Sequence, residues 1–161
     1  MNLRSISGPY NGLREKIDFI RRCYPRSITD PAVRRFAEVA AGRGTRMEQV
    51  KNLYESIRTK VNYLPDPVGV EMTKSPSVML KEIAERGSTS GDCDDQAALS
   101  FTLLKAIGIP AKLRVVWFKK IPMPQHIYAL AQVEGSWVAF DTTTRRGFGA
   151  QPDFSKKEDF K

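Results

Sequence analysis

Long apolar runs are missing from this sequence of 161 residues. No segment approaches the roughly 18 consecutive apolar residues that a membrane-spanning helix needs. The first ten residues also lack the apolar core of a secretory signal. We therefore expect no membrane span and a cytoplasmic location, or association with a virion if the protein is of phage origin.

Cysteine and histidine are scarce, with two cysteines and one histidine in the chain. Two cysteines are too few for a disulfide scaffold, and the sequence shows no zinc ligand set. The glycines form no phosphate-binding loop and no other cofactor fingerprint. The sequence therefore predicts a protein that needs no cofactor.

Acidic residues are too few to balance the basic ones, and the net charge is +8. The excess lies in residues 1–60, which hold 13 lysines and arginines against six acidic residues. Nucleic acid is disfavoured as a partner, because the basic residues form no run of five and no aromatic residues are interleaved to stack on bases. A solvated helix face is the simpler interpretation, and an assembly partner docking on these basic N-terminal helices is the alternative.

The apolar spacing changes its period along the chain, from helical in the first two-thirds to strand-like in the last third. Helical patterns cover residues 13–24, 33–40, 47–61, 78–84 and 97–107, with Pro25 expected to end the first. Asp30, Thr45 and Asp92 are expected to cap helices. Strands are predicted at 113–118, 127–133 and 137–140, the last two joined by a hairpin. Helices followed by an antiparallel sheet indicate an α+β fold.

We interpret residues 1–161 as a single domain with three parts. Residues 1–44 form an N-terminal helical extension, residues 45–145 the core, and residues 146–161 a polar tail that we expect to dock loosely or to be partly disordered. Residues 62–76 should cross the surface irregularly, and residues 87–91 should form a flexible loop.

Cys93 lies in the polar sequence Gly91-Asp-Cys-Asp-Asp95, directly before an apolar helical pattern. A helix start presents unpaired N–H groups and the positive end of the helix dipole, which both favour the nucleophilic thiolate. The neighbouring aspartates oppose thiolate formation, so Cys93 needs a cationic partner. A purely structural cysteine is the competing interpretation, and it suits Cys23, which ends an amphipathic stretch.

His126 is the candidate partner of Cys93, since it begins a predicted strand from which its side chain can reach a neighbouring element. A thiolate–imidazolium pair would activate the thiol and supply an acid for the leaving group. Asp141 ends the next strand across the hairpin, where its carboxylate can accept the ring N–H and fix the tautomer. Cys93, His126 and Asp141 thus form a candidate catalytic triad.

These motifs resemble the transglutaminase-like superfamily over residues 45–145. The resemblance is carried by Gly91-Asp-Cys-Asp-Asp-Gln-Ala97 with Leu103-Leu-Lys-Ala-Ile-Gly-Ile-Pro-Ala111, and by the ordered segments His126-Ile-Tyr-Ala-Leu130, Gly135-Ser-Trp137 and Phe140-Asp141. It implies a papain-like core with a catalytic helix packed on a small antiparallel sheet. It also implies acyl-transfer chemistry through a thioester, without a required metal.

One part of the family pattern is absent, because relatives often place a tryptophan or glutamine upstream of the cysteine to line the oxyanion hole. No tryptophan precedes Cys93 in this chain, and Gln49, the one upstream glutamine, falls in the middle of a predicted helix. The backbone N–H of Cys93 remains as one donor. Tyr63 and Asn62 are candidates for the second donor, and Trp137 is a candidate substrate contact that fits hairpin packing at least as well.

The acidic trio Asp92, Asp94 and Asp95 has two interpretations. Some bacterial relatives use acidic residues near the cysteine to bind Ca²⁺. Helix capping and solvated charge explain the trio more simply, since the alternating oxygen ligands of a usual calcium loop are absent.

Three functions remain open on the sequence. A peptidase or amidase would let water resolve the thioester on a protein or peptide substrate. A crosslinking acyltransferase would use a lysine amine instead. A virion or assembly component would keep the fold with catalysis incidental or lost.

Overall fold

The computed structural model describes residues 3–6, 12–68, 71–121 and 126–161. Its helices are α1 (Gly12–Thr29), α2 (Pro31–Ala41), α3 (Arg46–Lys60), α4 (Pro76–Arg86) and α5 (Cys93–Ala106). Its strands are β1 (Leu3–Ile6), β2 (Val61–Tyr63), β3 (Glu71–Lys74), β4 (Thr89–Gly91), β5 (Ala111–Trp117), β6 (His126–Val133), β7 (Ser136–Phe140) and β8 (Lys156–Phe160).

The predicted helix starts are confirmed by their capping bonds. Asp30 accepts the N–H of Ala32 at 2.9 Å, directly before Pro31 opens α2. Thr45 forms a reciprocal capping box at the start of α3, and Asp92 does the same for α5. These short-range signals depend on neighbouring residues alone, which is why the sequence reveals them.

The prediction that Pro25 ends the first helix is wrong, because α1 continues to Thr29. Proline removes one helical hydrogen bond and crowds the carbonyl four residues earlier. Tertiary packing on both sides of Pro25 offsets that cost. Tyr24 stacks edge-on against Phe101 of α5, and Ser27 is buried.

The main sheet has four antiparallel strands in the order β7-β6-β5-β8. The hairpin between β6 and β7 is confirmed, with Glu134 and Gly135 in its turn at positive φ, as such turns require. The prediction of a loose tail is wrong for residues 156–160, since β8 pairs with β5 along the sheet edge. Arg114 of β5 donates to both carboxylate oxygens of Asp159, at 2.6 and 2.9 Å, which fastens this polar strand.

Two small strand pairs lie outside the main sheet. β1 pairs antiparallel with β3, and β2 pairs in parallel with β4. The second pair corrects the prediction of a flexible loop at residues 87–91, because Thr89–Gly91 are held in register against Val61–Tyr63. Neither segment reveals this pairing locally, since the partners lie 28 residues apart along the chain.

The core is enclosed between the helices and one face of the main sheet. α5 runs through its centre and packs against β6, α1 and α2. Residues 94–104 of α5 are all buried, polar residues included. The start of α5 is therefore held from several sides at the point where it meets the sheet.

Within the described part of the chain, no helix has the length and apolarity needed to cross a membrane.

Candidate active site

Cys93 is the first residue of α5, and a set of carboxylate bonds fixes the backbone around it. The Asp92 carboxylate accepts a hydrogen bond from the N–H of Asp94 at 3.2 Å, and the Asp95 carboxylate accepts one from the N–H of Asp92 at 3.2 Å. The N–H of Cys93 lies outside this cap, so it stays available to an incoming oxygen. Gly91 is required here, because a Cβ at this position would come within 2.6 Å of Asp95.

The Cys93 thiol is half-buried and its surroundings favour the neutral form. Burial, followed by the charges of Asp94 and Asp92, raises the pKa of the Cys93 thiol. The backbone N–H of Ile127 acts in the opposite direction. Ile127 follows His126 on β6, and β6 packs against the helix that Cys93 begins.

His126 and Asp141 are brought together as the hairpin predicts. His126 Nε2 lies 2.7 Å from Asp141 Oδ2, with the carboxylate almost completely buried. The imidazole stacks on the ring of Tyr128 at 5.6 Å between centroids. With Nε2 bound to the carboxylate, Nδ1 is the ring nitrogen left to exchange a proton with a thiol.

The expected thiolate–imidazolium pair is not a hydrogen-bonded pair in this arrangement. Among the described residues, no hydrogen bond joins the Cys93 sulfur to the His126 ring, whose Nε2 instead binds Asp141. Cys93 thus begins the helix that packs on β6, while His126 at the start of β6 is already bonded to Asp141.

Asp141 is prepared to remain ionised. Burial acts to raise its pKa, but bonds from His126 and Thr143 outweigh burial, so the pKa of Asp141 is lowered overall. Thr143 contributes both its N–H, at 3.0 Å, and its hydroxyl, at 2.7 Å, to Asp141 Oδ1. Both carboxylate oxygens thus have donors, which fixes the plane of the group.

Sequence reasoning missed three side chains that hold this corner. Thr143 closes a local turn on Asp141, and the Asp-x-Thr spacing was a readable signal for it. Gln96 bridges the two halves of the site, since its amide donates to Gly91 O at 3.2 Å and accepts from Thr142 at 2.8 Å. Tyr54 donates to Asp141 O at 3.1 Å. Gln96 and Tyr54 act across the fold, so no local pattern predicts them.

The candidates for an oxyanion donor or a substrate contact lie in different places. Tyr63 pairs with Gly91, two residues before Cys93, and the charges of Cys93 and Asp92 add to burial in raising the pKa of Tyr63. Asn62 precedes it on β2, and successive strand side chains point to opposite faces, so Asn62 is directed away from the face of Tyr63. The geometry therefore favours Tyr63 of the two.

Trp137, the candidate substrate contact, lies apart from Cys93 and His126. It pairs with Gln132, six residues along β6 from His126, or about 20 Å at the usual strand rise. Its indole instead covers the ammonium group of Lys112 at 4.3 Å.

The side chains at the start of α5 do not fit a calcium site. Ligand atoms of Asp92, Cys93 and Asp94 lie within 4.8 Å of one another. However, Asp94 already binds Lys16 Nζ at 2.9 Å through one oxygen and the Thr73 hydroxyl at 3.0 Å through the other. Ca²⁺ takes six to eight oxygen ligands, and a thiol is a poor substitute for one.

The chain matches the model of one protein family, and its fold matches several solved structures. The Transglutaminase-like superfamily model matches residues 34–142. No curated protein matched the chain.

A candidate cysteine protease of Cytophaga hutchinsonii is 22% identical with a TM-score of 0.55, over 91% of this chain and 52% of that one. A candidate protease of Parabacteroides distasonis is 16% identical with a TM-score of 0.58, over 77% and 25%. Calcium-bound LapG of Legionella pneumophila is 20% identical with a TM-score of 0.53, over 73% and 66%.

The present chain thus corresponds to between a quarter and two-thirds of each of these proteins. At these identities the likeness is one of fold, and it confirms the predicted α+β, papain-like architecture. The family match covers more than half of the chain and includes Cys93, His126 and Asp141. The chain therefore belongs to the transglutaminase-like superfamily.

Proposed function

We propose that the protein is a cysteine-dependent acyl-transfer enzyme that cleaves amide bonds as a peptidase or amidase. The observation that supports this proposal is the oriented His126–Asp141 pair, whose histidine begins a strand that packs against the helix opened by Cys93. His126 is held by a 2.7 Å bond to a buried carboxylate, and the backbone N–H of Ile127, the next residue, acts on the Cys93 thiol.

In the proposed reaction, the Cys93 proton moves to His126 Nδ1 as the sulfur attacks the amide carbonyl. A carbon–sulfur bond forms, and the oxyanion is held by the Cys93 N–H, with the Tyr63 hydroxyl as the second donor. The imidazolium gives its proton to the leaving amine as the carbon–nitrogen bond breaks. Water then attacks the thioester, His126 takes the water's proton, and Cys93 leaves as the thiol.

The surface beside Cys93 suits a peptide substrate. The chain leaving β2 carries three exposed apolar side chains, with exposed fractions of 57% for Tyr63, 58% for Leu64 and complete exposure for Val68. Apolar surface next to polar reactive groups is typical of ligand sites. We infer that a substrate side chain next to the scissile bond packs on this segment.

The decisive experiment incubates the protein with an unfolded protein substrate and follows new N-termini by mass spectrometry, with and without a labelled primary amine. New N-termini without amine incorporation support hydrolysis. Incorporation of the amine would instead favour the crosslinking alternative, because both reactions share the thioester.

The matched controls are Cys93→Ala and Cys23→Ala. The first should abolish both products and the second should leave them unchanged, since Cys23 lies on α1 away from the site. If the wild type yields no more product than Cys93→Ala on any substrate offered, the enzymatic proposal fails.

A further inference from the structure

Lys16 of α1 is buried beside the candidate nucleophile. Its exposed fraction is 8%, and its ammonium lies 2.9 Å from the carboxylate of Asp94, which is 1% exposed. The other Asp94 oxygen accepts the hydroxyl of the fully buried Thr73. Lysine is rarely buried this deeply, and a buried charge persists when it is paired and hydrogen-bonded.

Packing along α1 sets the position of Lys16. Tyr24 contacts Phe101 of α5 edge-on at 5.4 Å, and the ammonium of Lys105 caps both rings at 5.1 and 4.9 Å. Tyr24 lies eight residues after Lys16, and Phe101 lies seven after Asp94, which are nearly equal distances of about 11–12 Å along two helices. α1 therefore runs alongside α5 in the same direction and contacts it at Lys16 and at Tyr24.

Lys16 reaches Cys93 through Asp94, the next residue along α5. Burial and then the charges of Asp94 and Asp92 raise the pKa of the Cys93 thiol, and the ammonium of Lys16 is the smallest of the influences that oppose them. α1 precedes residues 34–142, the segment matched by the family model. The cation at the nucleophile thus comes from a helix outside the common core.

We propose that Lys16 is a positioning residue for Cys93, whose ammonium occupies the place that a divalent cation would need among the carboxylates at the start of α5. Under this proposal the protein organises its nucleophile without calcium. The proposal rests on the role that the proposed function gives to Cys93, but the reactivity of the thiol tests it without any turnover.

The experiment measures the rate of Cys93 alkylation by iodoacetamide, by peptide mass spectrometry, with either excess Ca²⁺ or EGTA. For the wild type we expect the same rate and the same thermal midpoint in both conditions. Lys16→Met should slow alkylation about tenfold, the effect of roughly one pKa unit. Lys16→Arg should retain most of the wild-type rate, because it keeps the charge.

Two further variants separate charge from folding. Lys16→Met/Asp94→Asn removes both charges of the pair, so it should fold and regain most of the wild-type rate even if Lys16→Met alone does not fold. Lys81→Met, which changes an exposed lysine of α4, should behave as wild type.

Three outcomes would overturn the proposal. Slower wild-type alkylation in EGTA, or a higher thermal midpoint in Ca²⁺, would identify a metal site in place of the lysine. A wild-type rate in folded Lys16→Met would remove its positioning role. A double variant as slow as the single one would show that bulk, not charge, matters. Absence of peptide cleavage would count against the proposed function alone.

Discussion

The two sides of the candidate site favour opposite charge states: the charged carboxylate of Asp141 and the neutral thiol of Cys93. On the sheet side, Asp141 accepts bonds from His126 and Thr143, and its pKa is lowered. On the helix side, Cys93 lies among carboxylates and its pKa is raised. The His126–Asp141 pair is thus already hydrogen-bonded, whereas the surroundings of Cys93 favour its neutral thiol.

The largest effect is expected from removing the nucleophile on the helix side. Cys93→Ser should lower kcat by a factor on the order of 10⁴ or more, because a serine hydroxyl is a far weaker nucleophile in a site built for a thiol. The measurement is turnover of the best substrate found, with unchanged circular dichroism as the folding control. A rate within tenfold of wild type would show that Cys93 does not carry the reaction.

Disrupting the sheet side should cost nearly as much. Asp141→Asn keeps the shape but presents the wrong partner to His126, and such a change lowers kcat by about 10⁴ in a comparable triad. The pH–rate profile and kcat of this variant are the measurements. Asp153→Asn is the matched control, since the Asp153 side chain is 97% exposed; an equal effect there would contradict the triad.

Changing the candidate oxyanion donors near Cys93 should lower kcat less than changing Cys93 or Asp141 does. Tyr63→Phe should lower kcat by about 10²-fold with little change in KM, because an oxyanion bond forms in the transition state. Asn62→Ala should have the lesser effect, since Asn62 points to the other face of β2. Reversal of that order would make Asn62 the second donor.

The neutral state of Cys93 can be tested by pH. A raised pKa means that little thiolate exists at pH 7, so the midpoint of the alkylation rate against pH should lie above that of a free cysteine, which is about pH 8.5. At neutral pH the rate should be at least about tenfold below that of a short cysteine peptide. A plateau below neutral pH would instead reveal a preformed thiolate–imidazolium pair.

The smallest effect is expected at Thr143. Thr143→Val removes the hydroxyl bond to Asp141 while the backbone N–H bond remains. A hydrogen bond of this kind contributes about 1 kcal/mol, or about fivefold in rate. A loss in kcat matching that of Asp141→Asn would mean that Thr143 acts as more than a positioning residue.

The sequence predicted what depends on local signals. Cys93 at a helix start, the β6–β7 hairpin and the Asp30, Thr45 and Asp92 caps all follow from neighbouring residues, and the structure confirms them. The facing of His126 and Asp141 follows from the same hairpin, because antiparallel pairing returns the chain beside its start.

Contacts between distant segments were beyond local reasoning. The polar sequence of β8 shows no strand pattern, and its pairing depends on Arg114 reaching Asp159 across the sheet. α1 passes through Pro25 because tertiary packing overrides its local preference. Nothing in the sequence distinguishes Lys16 from the other basic side chains of residues 1–60, whereas the structure buries it against Asp94.

α1 and β8 both lie outside the segment matched by the family model, yet they bind one another. Arg21 of α1 donates two N–H bonds to the main-chain oxygen of Lys161, at 3.1 and 2.8 Å, and its guanidinium lies over the ring of Phe160. Arg21 lies little more than one helical turn beyond Lys16. The contacts that hold β8 on the sheet therefore also help to hold α1, and with it the ammonium of Lys16 against Asp94. We expect that cutting the chain at β8, or fusing another chain there, would change the surroundings of Cys93.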